Sequence, residues 1–110
     1  AGAVLSDATL AAPGDEAAYR RLLPAPPEAA AALRARREAW RSFAARYPDS
    51  RHADEARVRV VETGAAAWRL GGDPRDLSRA REDAAAYLDR ADAAQAARVR
   101  EVLATLPPAP

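Results

Sequence analysis

Residues 40–68, WRSFAARYPDSRHADEARVRVVETGAAAW, decide how this chain folds. Trp40, Phe43, Ala44 and Tyr47 stand at i, i+3, i+4 and i+7, the spacing that places side chains on one face of an α-helix. Pro48-Asp49-Ser50 breaks the pattern, and Ala53, Ala56, Val60 and Ala67 resume it. The stretch therefore predicts an amphipathic helix, a tight turn, and a second helix folded back on the first. Ser50 is suited to cap the second helix, and Glu55 with Arg59 forms a favourable i,i+4 pair inside it. Gly64 predicts a gap through which another backbone approaches.

Reading toward the N-terminus, the first long helix is expected from Pro27 to Tyr47. Pro27 fits a first turn, where the missing N–H has no partner to lose, and Glu28 suits the positive end of the helix dipole. Leu33, Trp40 and Tyr47 recur every seventh residue, and the opposite face carries Arg34, Arg37, Glu38 and Arg41. Glu38 lies within one turn of both Arg34 and Arg41, which predicts pairing along the helix. Before it, Pro24-Ala25-Pro26-Pro27 forms a stiff connector, and Asp15–Leu23 a short helix with Tyr19, Leu22 and Leu23 as its apolar edge. Residues 1–14 are small and weakly patterned, and are expected to be a loosely ordered lead-in.

Toward the C-terminus, Gly71-Gly72 supplies the left-handed stop that ends many helices, and Asp73-Pro74 caps and opens the next. Leu77, Ala80, Ala84, Tyr87 and Leu88 form its apolar stripe. After a break near Asp89–Asp92, a last helix turns Ala96, Val99, Leu103 and Leu106 inward before Pro107-Pro108 stops it. Shifting residues 44–49 by forty lands on 84–89, matching Tyr47 to Tyr87 and Asp49 to Asp89, which points to a repeated helix pair. The expected fold is all-α, with two antiparallel hairpins built from four main helices and a short N-terminal helix. The expected division is a lead-in over 1–26, a helical domain over 27–106 and a Pro-rich tail over 107–110.

Composition narrows the function classes. The chain has 110 residues, enough for one small core, and no cysteine, so neither disulfides nor thiolate metal sites are available. The formal net charge is +1 with acids and bases interspersed, which argues against a nucleic-acid surface. Every basic side chain but His52 is Arg, a usage expected of a GC-rich genome rather than of a phosphate site. No apolar run approaches the roughly 20 residues of a membrane span, and no signal-peptide pattern is present. The start at Ala1-Gly2-Ala3 without Met leads us to expect a segment of a longer protein. His52, amid Asp49, Asp54 and Glu55, reads as solvated surface rather than a metal ligand. Ser6, Ser42, Ser50 and Ser78 lie in no nucleophile motif, and Gly71-Gly72-Asp73 has neither the spacing nor the Lys of a phosphate loop. Neither catalysis nor a cofactor is expected.

Trp40, Phe43, Ala44 and Tyr47, followed by Ala56 and Val60, resemble the tetratricopeptide repeat in residue type, order and spacing. Thr63 replaces the small residue expected next, and Trp68 stands where the repeat's closing proline would be. The second pair keeps Ala84, Tyr87 and Ala96 but has Ala80 and Asp83 at the two large positions. The phrase Arg46-Tyr47-Pro48-Asp49-Ser50 is similar to a branch of that family found in bacterial envelope proteins, including outer-membrane assembly lipoproteins and Tol-Pal-associated periplasmic proteins. The resemblance implies a protein–protein interaction scaffold, periplasmic or otherwise in the cell envelope, with a cytoplasmic site as the alternative. A second reading is the extracytoplasmic sensory or regulatory domain of a membrane-anchored anti-sigma factor or receptor. In such arrays the first helix of each pair lines the concave side, which implies partner contacts at Arg34, Glu38 and Arg41. Guanidinium forks grip carboxylates in a bidentate way, so a protein or peptide partner with an acidic segment is expected. The competing reading is an ordinary charged surface.

Overall fold

The computed structural model describes residues 14–24 and 29–108. Residues 1–13 of the expected lead-in, residues 25–27 of the connector, the helix start at Pro27-Glu28 and the last two tail residues lie outside them. Among the described residues there are five helices and no strand: α1 (Gly14–Leu22), α2 (Ala30–Arg46), α3 (Ala53–Gly71), α4 (Pro74–Leu88) and α5 (Ala96–Ala104). The chain is all-α.

α3 organises the packing, because α2, α4 and α5 all lie against it. Its sequence permits this. Ala56, Val60, Thr63 and Ala67 line one side, Val58, Val61 and Ala65 another, and all seven are buried. A helix apolar on more than one face is one enclosed by neighbours. Against the first side, Trp40, Phe43 and Ala44 of α2 form a cluster with Ala56 and Val60. Against the other, Val58 and Val61 meet Ala84 and Tyr87 of α4 and Val99 of α5. Ala65, Ala80 and Leu106 close the far end, with Trp68 and Leu77 beside them.

The local stop signals act as the residues dictate. Gly72 takes φ of 73°, the left-handed conformation that costs an L-residue its Cβ clash, and its N–H bonds the Trp68 carbonyl. The Asp73 carboxylate accepts from the Arg75 N–H at 2.9 Å, with Pro74 in the first turn. The expected cap at Ser50 is different. α3 begins at Ala53 behind His52, and no side chain caps it. Ser50 sits in the turn, where its Oγ accepts from the His52 N–H and donates to Asp15 Oδ2 at 2.8 Å. A carboxylate on α1 thus draws the hydroxyl away from the helix end.

α1 is held against the α2–α3 corner by polar contacts at both ends. Glu16 lies 2.7 Å from an Arg51 guanidinium nitrogen and 2.8 Å from His52 Nε2, while Arg36 donates to the Leu22 and Pro24 carbonyls. The His52 ring stacks on Tyr19 at 3.8 Å between centroids, and Tyr19 meets Trp40 edge-on at 5.6 Å. His52 is therefore a docking residue for α1 and not the solvated surface its sequence neighbours suggest. Of the expected apolar edge, Tyr19 and Leu22 pack on the core, whereas Leu23 is exposed.

Arg37 departs most from expectation. Its place on the charged face of α2 predicts exposure, yet its side chain is 7% exposed. Its Nε and Nη2 donate to Asp83 Oδ2 at 2.9 and 2.7 Å, and Nη1 pairs with Glu38. Glu38 thus pairs with Arg37 rather than with Arg34 and Arg41. The space at Gly64 admits this side chain and no backbone: a Cβ there would meet Arg37 Cδ at 3.4 Å and Ala80 Cβ at 3.8 Å. Those are ordinary contacts, so Gly64→Ala should be accommodated. It should raise stability by about 0.5–1 kcal/mol, the helix-propensity gain of Ala over Gly. Urea denaturation checks it; a loss of stability would mean that Arg37 cannot yield even a few tenths of an ångström.

A second polar network joins α3 to α5. Arg98 bonds Glu55 and Glu62, Arg59 bonds Glu55, and Gln95 reaches Asp54 and Glu55. Tyr87 adds a fixed point, its hydroxyl donating to Asp54 Oδ1 and accepting from the Gln95 N–H, both at 2.8 Å. Burial pushes the Glu55 carboxyl up, but bonds from Arg98, Arg59 and Gln95 outweigh it and hold the group down at about 2, against an ordinary 4.5. A carboxylate whose folded-state pKa is depressed stabilises the fold above its unfolded value and loses that contribution as it protonates. Stability should therefore fall as pH drops from about 4.5 to about 2, and Glu55→Gln should flatten this part of the curve. Equal acid sensitivity in the variant would assign the loss to other carboxylates.

Candidate functional site

The three sequence-selected residues do not converge. Arg34 turns toward α4, where its Nε and Nη2 grip the Asp76 carboxylate at 2.8–3.1 Å, and Asp76 is buried. Its strongest donors are thus spent within the chain, in a polar recess shared with Asp73, Arg75 and Arg79. Glu38 is exposed beside Arg37. Arg41, 60% exposed and 3.7 Å from Asp83 Oδ1, stands at the mouth of a groove.

That groove, about 200 Å³, is formed where α2, α3 and α4 meet. Its apolar lining comes from Ala44 on α2, Val60 on α3, and Ala86 and Tyr87 on α4. Three guanidinium groups border it, Arg41 from α2, Arg57 from α3 and Arg90 just past α4, with Asp83 as its single carboxylate. The helix periods explain the arrangement. Arg41 and Ala44 stand three apart, as do Arg57 and Val60, so each helix places one cation over one apolar contact. The phenol of Tyr87 is turned away to Asp54 and Gln95, and burial with the Asp54 hydrogen bond raises its pKa.

The electrostatics of the groove are set by residues around it. Asp83 is held by Arg37 from behind, so most of its charge is already answered. Arg90 bonds Asp92 at 3.0 Å, and holds that carboxyl below its usual range, with a smaller pull from Arg57. Counting these partners, Arg37, Arg41, Arg57 and Arg90 stand against Asp83, Asp92 and the Glu38 paired with Arg37, which leaves the groove cationic by one charge. Sequence periodicity had no means of finding Arg57 and Arg90, because they join Arg41 only through the contact of three helices.

A larger depression of about 550 Å³ lies between α1 and α2, with Ala17, Leu22, Phe43 and Tyr47 along it. It is bordered by Gly14, where the described residues begin, so they do not define its extent. Among the described residues, no three metal-ligating side chains converge, and no helix is long and apolar enough to cross a membrane. No protein-family model, curated protein or solved structure matches the chain.

Proposed function

We propose that this chain is a non-enzymatic protein-interaction module of a bacterial cell-envelope protein, binding a peptide segment of its partner in the groove between α2, α3 and α4. In this reading α2 with α3, and α4 with α5, are two antiparallel hairpins resembling tetratricopeptide repeats. The observation that carries it is a groove that draws its lining from three helices and borders an apolar floor with hydrogen-bond donors. Such a surface offers side-chain contacts and orientation at once, as peptide-binding grooves do. The cell-envelope assignment rests on Arg46-Tyr47-Pro48-Asp49-Ser50, whose Tyr47 and Ser50 contact neighbouring parts of the corner they form.

Panning a displayed random-peptide library against the immobilised 110-residue chain tests the reading. Recovered peptides should compete with one another and lose affinity on Ala86→Arg, an exposed position of the groove lining where the added side chain covers the apolar floor. A library that yields no specific binder, or binders indifferent to Ala86→Arg, would overturn it.

A further inference from the structure

We infer that the α2–α3–α4 groove selects acidic peptide segments, and that buried Arg37, which does not line it, sets this preference by neutralising Asp83. The inference rests on the interaction reading above and names the partner chemistry.

Asp83 is the one carboxylate in the groove wall, opposite Arg41, Arg57 and Arg90. Left alone, it would engage the neighbouring guanidinium groups and repel an acidic ligand. Arg37 prevents this from the far side. Its Nε and Nη2 both bind Asp83 Oδ2, leaving Oδ1 only a loose 3.7 Å approach to Arg41. The Arg37 stem passes over Gly64, where a Cβ would stand 3.4 Å from its Cδ. Arg41 is consequently 60% exposed, with donors free to meet a ligand carboxylate. The walls match such a segment in size as well as charge. Ala44, Val60 and Ala86 leave space for small apolar residues between the acidic ones. Arg37 is a positioning residue here; the contacts belong to Arg41 and Arg57, with Arg90 adding the donors that Asp92 leaves unused.

Fluorescence anisotropy on the full chain tests this with three labelled probes. One is an eight-residue peptide alternating glutamate with alanine, the second its glutamine counterpart, and the third an oligothymidylate of equal charge. The glutamate peptide should bind about tenfold more tightly than the glutamine peptide, as expected when charge-assisted hydrogen bonds replace neutral ones. The preference should disappear in Arg57→Gln/Arg90→Gln, whose altered side chains are outside the core. Arg37→Met should weaken glutamate-peptide binding about fivefold, Arg37→Lys should keep most of it, and Arg37→Met/Asp83→Asn should restore it. Circular dichroism confirms that each variant is folded, and the restoring double variant separates a charge effect from a structural one. Equal binding of both peptides would overturn the inference while leaving the interaction reading intact. So would failure of both peptides when library-selected binders exist; failure of the library as well overturns both. Oligothymidylate bound as tightly as the glutamate peptide would also overturn it, because the groove would then read negative charge alone.

Discussion

Trp40→Ala should lower the stability of this domain by about 3–5 kcal/mol, the cost of emptying a large aromatic site in a packed core. Trp40 is 1% exposed and is among the largest fully buried side chains. Its neighbours offer little to fill the gap. Ala44 and Ala56 have no reach, and Phe43 is held against Tyr47 and Tyr19. The melting temperature should drop by about 15–25 °C for a domain of this size. Because α1 lies on Trp40 through Tyr19, the stacked Tyr19–His52 pair should loosen too. A differential scanning experiment with an unchanged transition would show that Trp40 carries no core volume.

The second large effect concerns a charge. Arg37→Met should cost roughly 3 kcal/mol, the lower end of the range for removing one partner of a buried ion pair, because Asp83 is left without its main counter-ion. Arg41 at 3.7 Å limits the loss. Replacing both partners with apolar residues, as in Arg37→Met/Asp83→Leu, should recover most of it, since paired burial of charge gains little over hydrophobic contact. Chemical denaturation of the single and double variants measures the difference. A double variant no more stable than Arg37→Met would mean that the deficit lies in lost packing of the Arg37 stem and not in the stranded carboxylate.

What could be read from the sequence depended on how far each residue's partner lies along the chain. Trp40 and Phe43 declared themselves core residues by spacing within a single helix, and both are buried. Gly72 and Asp73-Pro74 set their turn by their own backbone preferences, so the break between α3 and α4 was legible in the sequence, although Gly71 still belongs to α3. Ser50 was misread because its partner, Asp15, is 35 residues upstream. His52 was misread for the same reason, since Tyr19 and Glu16 come to it from α1. Arg37 looked like surface because helical periodicity counts charge as outward-facing. Asp83, 46 residues on, takes two of its donors and offsets most of the cost of its burial. The groove followed the same rule: Arg41 was visible on its helix face, whereas Arg57 and Arg90 acquire their role only once α2, α3 and α4 meet.

The position of α3 between three neighbours has a consequence for how the chain can be divided. In an open stack of helix pairs, each pair keeps a face of its own, and a terminal pair is removable at the loss of one interface. Here the side of α3 carrying Val58 and Val61 is covered by Ala84, Tyr87 and Val99, with Leu88, Val102 and Leu103 beside them, all from the following two helices. Severing the chain at Gly72 would strip both halves of their shared apolar surface at once. The two halves are thus complements, each serving as the other's missing solvent-excluding wall.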